Sequence, residues 1–445
     1  MKPPTPSASW LASIRAATRA LRHRNYQLFF FGQGTSLIGT WMQRVALGWL
    51  VYRITGSEWL LGVVGFSSQI LAFLVAPFAG VMADRVSRRP LMVATQTLAM
   101  VQAFVLAWLT LTGDVAVWHI IVLSTLLGLV NAVDIPVRQS FVVEMLESRE
   151  DLPNAIALNS SLVNGARLIG PSVAGLLIAA TGEGVCFLLN GVSFLAVIAA
   201  LLAMKVKPPP RAARQAHVLH NLWEGLAYAY GFEPMRAILI LLASVSVMGM
   251  SYGVLMPVIA KDVLHGGPRA LGFLTACAGV GALMGAALLA PRRTVRGLGR
   301  VIAMAATVSG ISLIAFSLSQ NLWASAAVMV VTGLGQMIQT ASSNTLLQTI
   351  ADDDKRGRVM GFYTVSFMGV GPFGSLLAGA LAARLGAATT IAIGGCGSIL
   401  AALYFASKLP RLGRLVHPVY VSKGIVPAPD SPGTGQPAPP EHLML

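Results

Sequence analysis

Uncharged apolar runs follow one another along almost the whole chain, separated by short polar connections. A bilayer core of about 30 Å needs about 20 helical residues to cross it. Twelve stretches meet that length: residues 25–52, 58–83, 91–112, 115–142, 154–181 and 184–204, then 236–260, 268–290, 300–318, 321–349, 359–383 and 387–407. Within each the apolar residues are continuous rather than alternating, which predicts helices and not barrel strands. The fold class this pattern predicts is an all-α polytopic membrane protein with twelve transmembrane helices.

Composition supports the pattern. Only 11% of the 445 residues are charged, where a soluble domain carries about 25%. The net charge of +15 raises the question of a nucleic-acid partner, and its distribution answers it. With the N-terminus inside and twelve crossings, 25 of the 32 lysines and arginines fall on the cytoplasmic side. Only Arg53, Lys261, Arg269 and Arg384 fall outside. This is the positive-inside asymmetry, which predicts both termini in the cytoplasm and no nucleic-acid partner. Residues 1–24 are basic but contain no apolar stretch, so the first helix itself is expected to direct insertion.

The three cysteines, Cys186, Cys277 and Cys396, are far apart and form neither a disulfide framework nor a metal cluster. The chain has no GxxxxGK[ST], HExxH or GxSxG, so neither ATP-driven transport nor a familiar hydrolase is expected, and no cofactor or metal is implied.

The longest internal connection separates six spans from six. The expected organisation is a cytoplasmic N-terminal tail (1–24), an N-terminal six-helix bundle (25–204), and a cytoplasmic linker with an interfacial helix (205–235). A C-terminal six-helix bundle (236–407) and a disordered cytoplasmic tail (408–445) follow. The halves repeat at an offset of 205 residues: Gly80 falls on Gly285, Arg88 on Arg293, and Gly128-Leu129 on Gly333-Leu334. After a four-residue adjustment Gly170-Pro171 meets Gly371-Pro372. Such a repeat predicts two pseudo-symmetric bundles with a site near the bilayer midplane.

Between the second and third spans the chain reads GVMADRVSRR, from Gly80 through Asp84, Arg85, Arg88 and Arg89. This stretch resembles the signature loop of the major facilitator superfamily, with Ser87 where a second glycine is usual. In span five, Gly165-Ala-Arg167-Leu-Ile-Gly170-Pro171-Ser-Val-Ala-Gly175 partly resembles the Gly-Pro motif of drug/proton antiporters, with altered glycine spacing. TWMQRVALGWLVYRITGS, VDIPVRQSFV and REDLPNAIALNS are similar to the branch that includes the enterobactin exporter and macrolide-efflux-type permeases. The resemblance covers about residues 22–408. It implies the major facilitator fold and export of a small amphiphilic molecule, siderophore or drug-like, from a bacterial inner membrane. It also implies alternating access coupled to protons, in a monomer. Import of a nutrient with protons is the alternative reading; a non-transporting receptor or assembly factor is a remote one. In the family the loop clamps helix ends, and its arginines pair with acids. Glu144 and Asp134 are the candidate partners of Arg88.

Charges within spans are costly, about 2.5–3.5 kcal/mol each at a helix centre, and mark function by default. Arg44, Asp134, Arg138 and Arg167 are four such charges, all in the first half. Helical spacing groups Gln33, Thr40 and Arg44 on span one, Asn131, Asp134 and Arg138 on span four, and Asn164, Arg167 and Pro171 on span five. At offset 205, Gln336, Gln339 and Ser343 make an uncharged polar face on span ten. Apart from Pro171, these eleven side chains are expected to line a cavity for substrate or coupling. If the four charges share it, its net charge of +2 favours anionic substrates. Asp134 and Arg138, at i and i+4, have two readings, a structural pair or a coupling site. Gly170, Pro171, Gly371 and Pro372 likewise serve either close packing or a helix bend.

Overall fold

The computed structural model describes residues 18–206, 227–250, 252–292 and 294–426, without the side chains of 76–85. The described chain is helical throughout, and the helices follow the apolar runs. The first six are α1 (Arg24–Thr55), α2 (Glu58–Arg85), α3 (Arg88–Thr112), α4 (Val117–Phe141), α5 (Leu152–Thr181) and α6 (Glu183–Ala203). The second six are α7 (Glu233–Val263), α8 (Gly267–Leu289), α9 (Leu298–Leu318), α10 (Leu322–Ile350), α11 (Arg356–Leu385) and α12 (Ala387–Ser422).

Among the described residues eleven of these are both long and apolar enough to cross a membrane. The twelfth, α1, reaches about 48 Å at 1.5 Å per residue, and its weaker apolar signal comes from the polar residues it carries. The repeat is visible in the helix boundaries: α4 begins at Val117 and α10 at Leu322, 205 residues apart.

The chain separates into two compact units. The first comprises residues 1–51 and 70–215. Its interior is tied by polar side chains in three different helices: Asn190 of α6 donates to Gln43 of α1 at 2.7 Å, and Gln43 donates to Gln102 of α3 at 3.1 Å. All three are buried, in a setting where an unpaired amide has no water to turn to. At one end of this unit, Asp151 takes an ion pair from Arg19 and a hydrogen bond from His23, the latter at 2.7 Å. The His23 Nδ1 accepts the Glu147 backbone N–H at 3.3 Å, which places the ring proton on Nε2, facing Asp151.

The second unit comprises residues 52–69 and 216–445. The expected halves differ from these units chiefly at 52–69, and the physical reason lies in side chains. Tyr52 donates its hydroxyl to Asp262, Lys261 sits 5.1 Å above the Tyr52 ring, and Phe66 meets Phe373 edge-on at 5.8 Å. In the body of this unit α8 and α10 cross with backbones in contact, because Gly281 and Gly333 present no Cβ to the facing carbonyls of Val330 and Ala278.

The C-terminal expectation needs correction. Disorder is expected from residue 408, yet α12 runs on to Ser422 despite Pro410 and Pro418. Leu412, Val416 and Tyr420 recur at i, i+4 and i+8 and are buried with Ile350, Ala351 and Val359 in one apolar cluster. Lys423 then donates to the carbonyls of Thr349 (2.8 Å) and Ala351 (2.6 Å), satisfying acceptors that the end of α10 leaves open. Of the expected interfacial helix, residues 227–231 are described and helical. Ala229 joins the same cluster, and Tyr228 accepts the Asp352 N–H at 3.2 Å. Burial in this seam raises the Tyr228 phenol above its ordinary pKa.

Deleting residues 409–426 is expected to uncover this cluster. Thermal unfolding of the purified protein in detergent should move down by several degrees.

Candidate functional site

The most distinctive chemistry inside a span is in the first unit, on α1 and α5. Trp41 and Arg44 lie three residues apart on α1 and so share a face. The Arg44 guanidinium lies 4.5 Å from the Trp41 ring centre, and that of Arg167 lies 5.7 Å from the same ring. What allows α5 to come so near is Gly170, one turn beyond Arg167. A Cβ there would sit 2.6 Å from the Trp41 Cβ and 2.9 Å from the Ile38 carbonyl oxygen. Two like charges on one ring repel. The ring quadrupole offsets this by about 0.5–2 kcal/mol per contact, and an anion between them would offset more. Arg44 is exposed and Arg167 half-buried.

The four charges expected in one cavity form two sets instead. Asp134 is buried between α3 and α4, where its Oδ1 accepts from Thr95 (2.9 Å) and Gln96 (2.7 Å). Arg138 approaches its other oxygen at 3.8 Å. With donors from α3 and its own helix around it, the carboxylate ties two helices together, so it does not share an open surface with Arg44. Thr40 turns back to the Ser36 carbonyl, and Asn164 to that of Ser160. Gln33 is buried, and its Oε1 finds no partner among the described residues; Asn131 is half-buried.

In the second unit the uncharged face of α10 is also buried rather than lining an open wall. Gln336, Gln339 and Ser343 are at most 5% exposed. Gln336 donates at 3.1 Å to the carbonyl of Gly249, where the α-helical part of α7 stops before resuming at Tyr252. A broken transmembrane helix leaves carbonyls needing donors, and Gln336 supplies one. The Gln336 Oε1, Gln339 Nε2 and Ser343 Oγ have no protein partner among the described residues.

The two Gly-Pro elements behave differently. Around Gly170 and Pro171, α5 continues unbroken. In α11 a π turn, Val365–Gly369, precedes Gly371 and Pro372, which restart the α-helix. Ser246 of α7 donates to the Phe367 carbonyl of that turn at 2.6 Å. The deformation in α11 is therefore held by a neighbouring helix.

At the loop between α2 and α3, Arg88 pairs with Glu144 and not with Asp134, whose oxygens are already engaged. Arg89 caps α6 by donating to the carbonyls of Leu201 (2.7 Å) and Leu202 (2.8 Å). Gly80, Asp84 and Arg85 lie in the last turns of α2, and their side chains fall outside the described residues.

Sequence reasoning missed Trp41, although its position three residues before Arg44 carried a usable signal. It also missed the Gln43–Gln102–Asn190 tie. Each of these is visible as a polar residue in an apolar helix, but their partnership is not.

The described helices, eleven of them long and apolar enough to cross a membrane, are those of a polytopic membrane protein. Residues 16–417 match the family described as transmembrane secretion effectors, within the major facilitator superfamily, and the chain belongs to that family. It is 25% identical to the staphyloferrin A transporter of Staphylococcus aureus, over 85% of this chain and 94% of that one. It is 22% identical to the enterobactin exporter EntS of Shigella boydii, over 91% and 96%. It is 24% identical to the multidrug efflux pump Tap of Mycobacterium tuberculosis, over 80% and 86%. Among solved structures, a POT family transporter superposes with a TM-score of 0.70 over 87% of this chain and 96% of its own, at 12% identity. A bacterial homologue of the lysosomal transporter Spinster gives 0.65 over 91% and 99%, at 15% identity.

Arg88→Ala is expected to leave the largely buried Glu144 unpaired and to cost about 3 kcal/mol. Thermal unfolding would read the loss, and the exchange Arg88→Glu with Glu144→Arg should recover part of it.

Proposed function

We propose that this transporter exports a small amphiphilic, acid-bearing molecule of the siderophore type across a bacterial inner membrane, with both termini in the cytoplasm. The single observation that carries the reading is the convergence of Arg44 and Arg167 on the Trp41 ring. Two guanidiniums with no acid partner among the described residues favour a carboxylate or catecholate, and the indole offers a flat apolar face to the rest of the molecule. Relatives named for staphyloferrin A and enterobactin support the substrate class, and one named for multidrug efflux supports amphiphilicity. The internal repeat supports alternating access. The protein works as a monomer, with a proton moving against the substrate. Asp134, buried within α4, is the acid we assign to that proton.

The test is transport by the purified protein in proteoliposomes under an imposed pH gradient, comparing an acidic siderophore with a cationic dye. The acidic compound should move faster, and Arg44→Gln or Arg167→Gln should slow it about tenfold, the loss expected for one charged contact. Faster export of the dye would overturn the reading. Asp134→Asn keeps an oxygen that accepts from Thr95 and Gln96, so the fold is expected to survive while pH-driven transport is lost. Retained pH-driven transport in that variant would remove Asp134 from the coupling role.

A further inference from the structure

At the arginine-rich end of the second unit, a cavity of roughly 390 Å³ opens between α7 and α12. Its polar end is formed by Arg236, Lys408, Arg411 and Glu233. Glu233 and Arg411 pair across the two helices at 2.9 Å, which leaves the cavity with a surplus of two positive charges. Arg236 is exposed and, among the described residues, donates only to a backbone carbonyl, that of Tyr230, at 3.3 Å. Lys408 lies 5.5 Å above the Tyr404 ring.

The other end of the cavity is apolar. Ile240 and Tyr404 line it while remaining 44% and 63% exposed. On α12, Ile393, Leu400, Tyr404, Lys408 and Arg411 fall within a sector of about 80° at 100° per residue. The first three of these are large exposed side chains, so this face meets hydrocarbon and runs directly into the two cations. An aromatic ring at that transition marks the headgroup level of a bilayer.

We infer that this cavity holds an anionic phospholipid of the leaflet on the arginine-rich side, its phosphate between Arg236 and Lys408 and an acyl chain along Ile240 and Tyr404. A free anion would use the cations but leave the apolar groove uncovered. A zwitterionic lipid would fill the groove but bring its own cation to two unneutralised ones. Only a ligand with both an anionic head and a chain satisfies the two ends together.

Native mass spectrometry of the full chain in detergent tests this, with phosphatidylglycerol and phosphatidylcholine supplied in turn. The wild type should retain phosphatidylglycerol at least tenfold better than phosphatidylcholine. The double substitution Arg236→Gln and Lys408→Gln spares the Glu233–Arg411 pair that joins the helices, and it should lower phosphatidylglycerol retention by tenfold or more, at about fivefold per charge. Ile240→Trp fills the apolar end without changing charge and should lower retention as well, while excess inorganic phosphate should not displace the lipid. Equal retention of the two lipids by the wild type, unchanged retention in the double variant, or displacement by inorganic phosphate would each overturn the inference.

Discussion

Hydrocarbon offers no hydrogen bonds, and this constraint governs the molecule. Every backbone amide within a span has to be satisfied by its own helix, and every polar side chain has to find a partner or face a wet surface. The Gln43–Gln102–Asn190 tie is the direct outcome, since three amides in three helices share donors and acceptors that lipid could not supply. The same constraint explains Asp134, surrounded by Thr95, Gln96 and Arg138, and Gln336, which serves the carbonyl where α7 breaks. Against that background, Arg44 and Arg167 stand apart: they meet over an aromatic ring, with no acid paired to them among the described residues.

The two units use one plan with different chemistry. Corresponding helices, α4 and α10, start 205 residues apart, yet α4 carries Asp134 and Arg138 where α10 carries Gln339 and Ser343. Backbone irregularities concentrate in the second unit, in the break of α7 and the π turn of α11. The first unit keeps its Gly-Pro helix continuous and spends Gly170 on close approach to Trp41. Charge thus concentrates in one unit and helix deformation in the other.

Much of the architecture was legible along the chain, for reasons that are local. The number and placement of spans follow from apolar run length, and the pairing of Arg88 with Glu144 was one of two candidates that the signature loop left open. The end of α12 was not legible, because the apolar run that marks the last span stops at residue 407 and the chain beyond it ends in a stretch rich in Pro, Gly and Ser. What keeps that segment helical is burial of Leu412, Val416 and Tyr420 against residues some 60 positions earlier in the chain. The candidate site was legible as a set of charges but not as a grouping. Helical periodicity places Asp134 and Arg138 on one face of α4, and only packing reveals that α3 covers it.

The sequence by itself determined the membrane, the spans, the internal repeat and the superfamily, because each rests on run length, composition or short contiguous motifs. Tertiary structure alone decided which intramembrane charges are engaged and which are open. Partnership in a bilayer depends on which helix faces which, and that depends on where small residues such as Gly170 let two backbones approach.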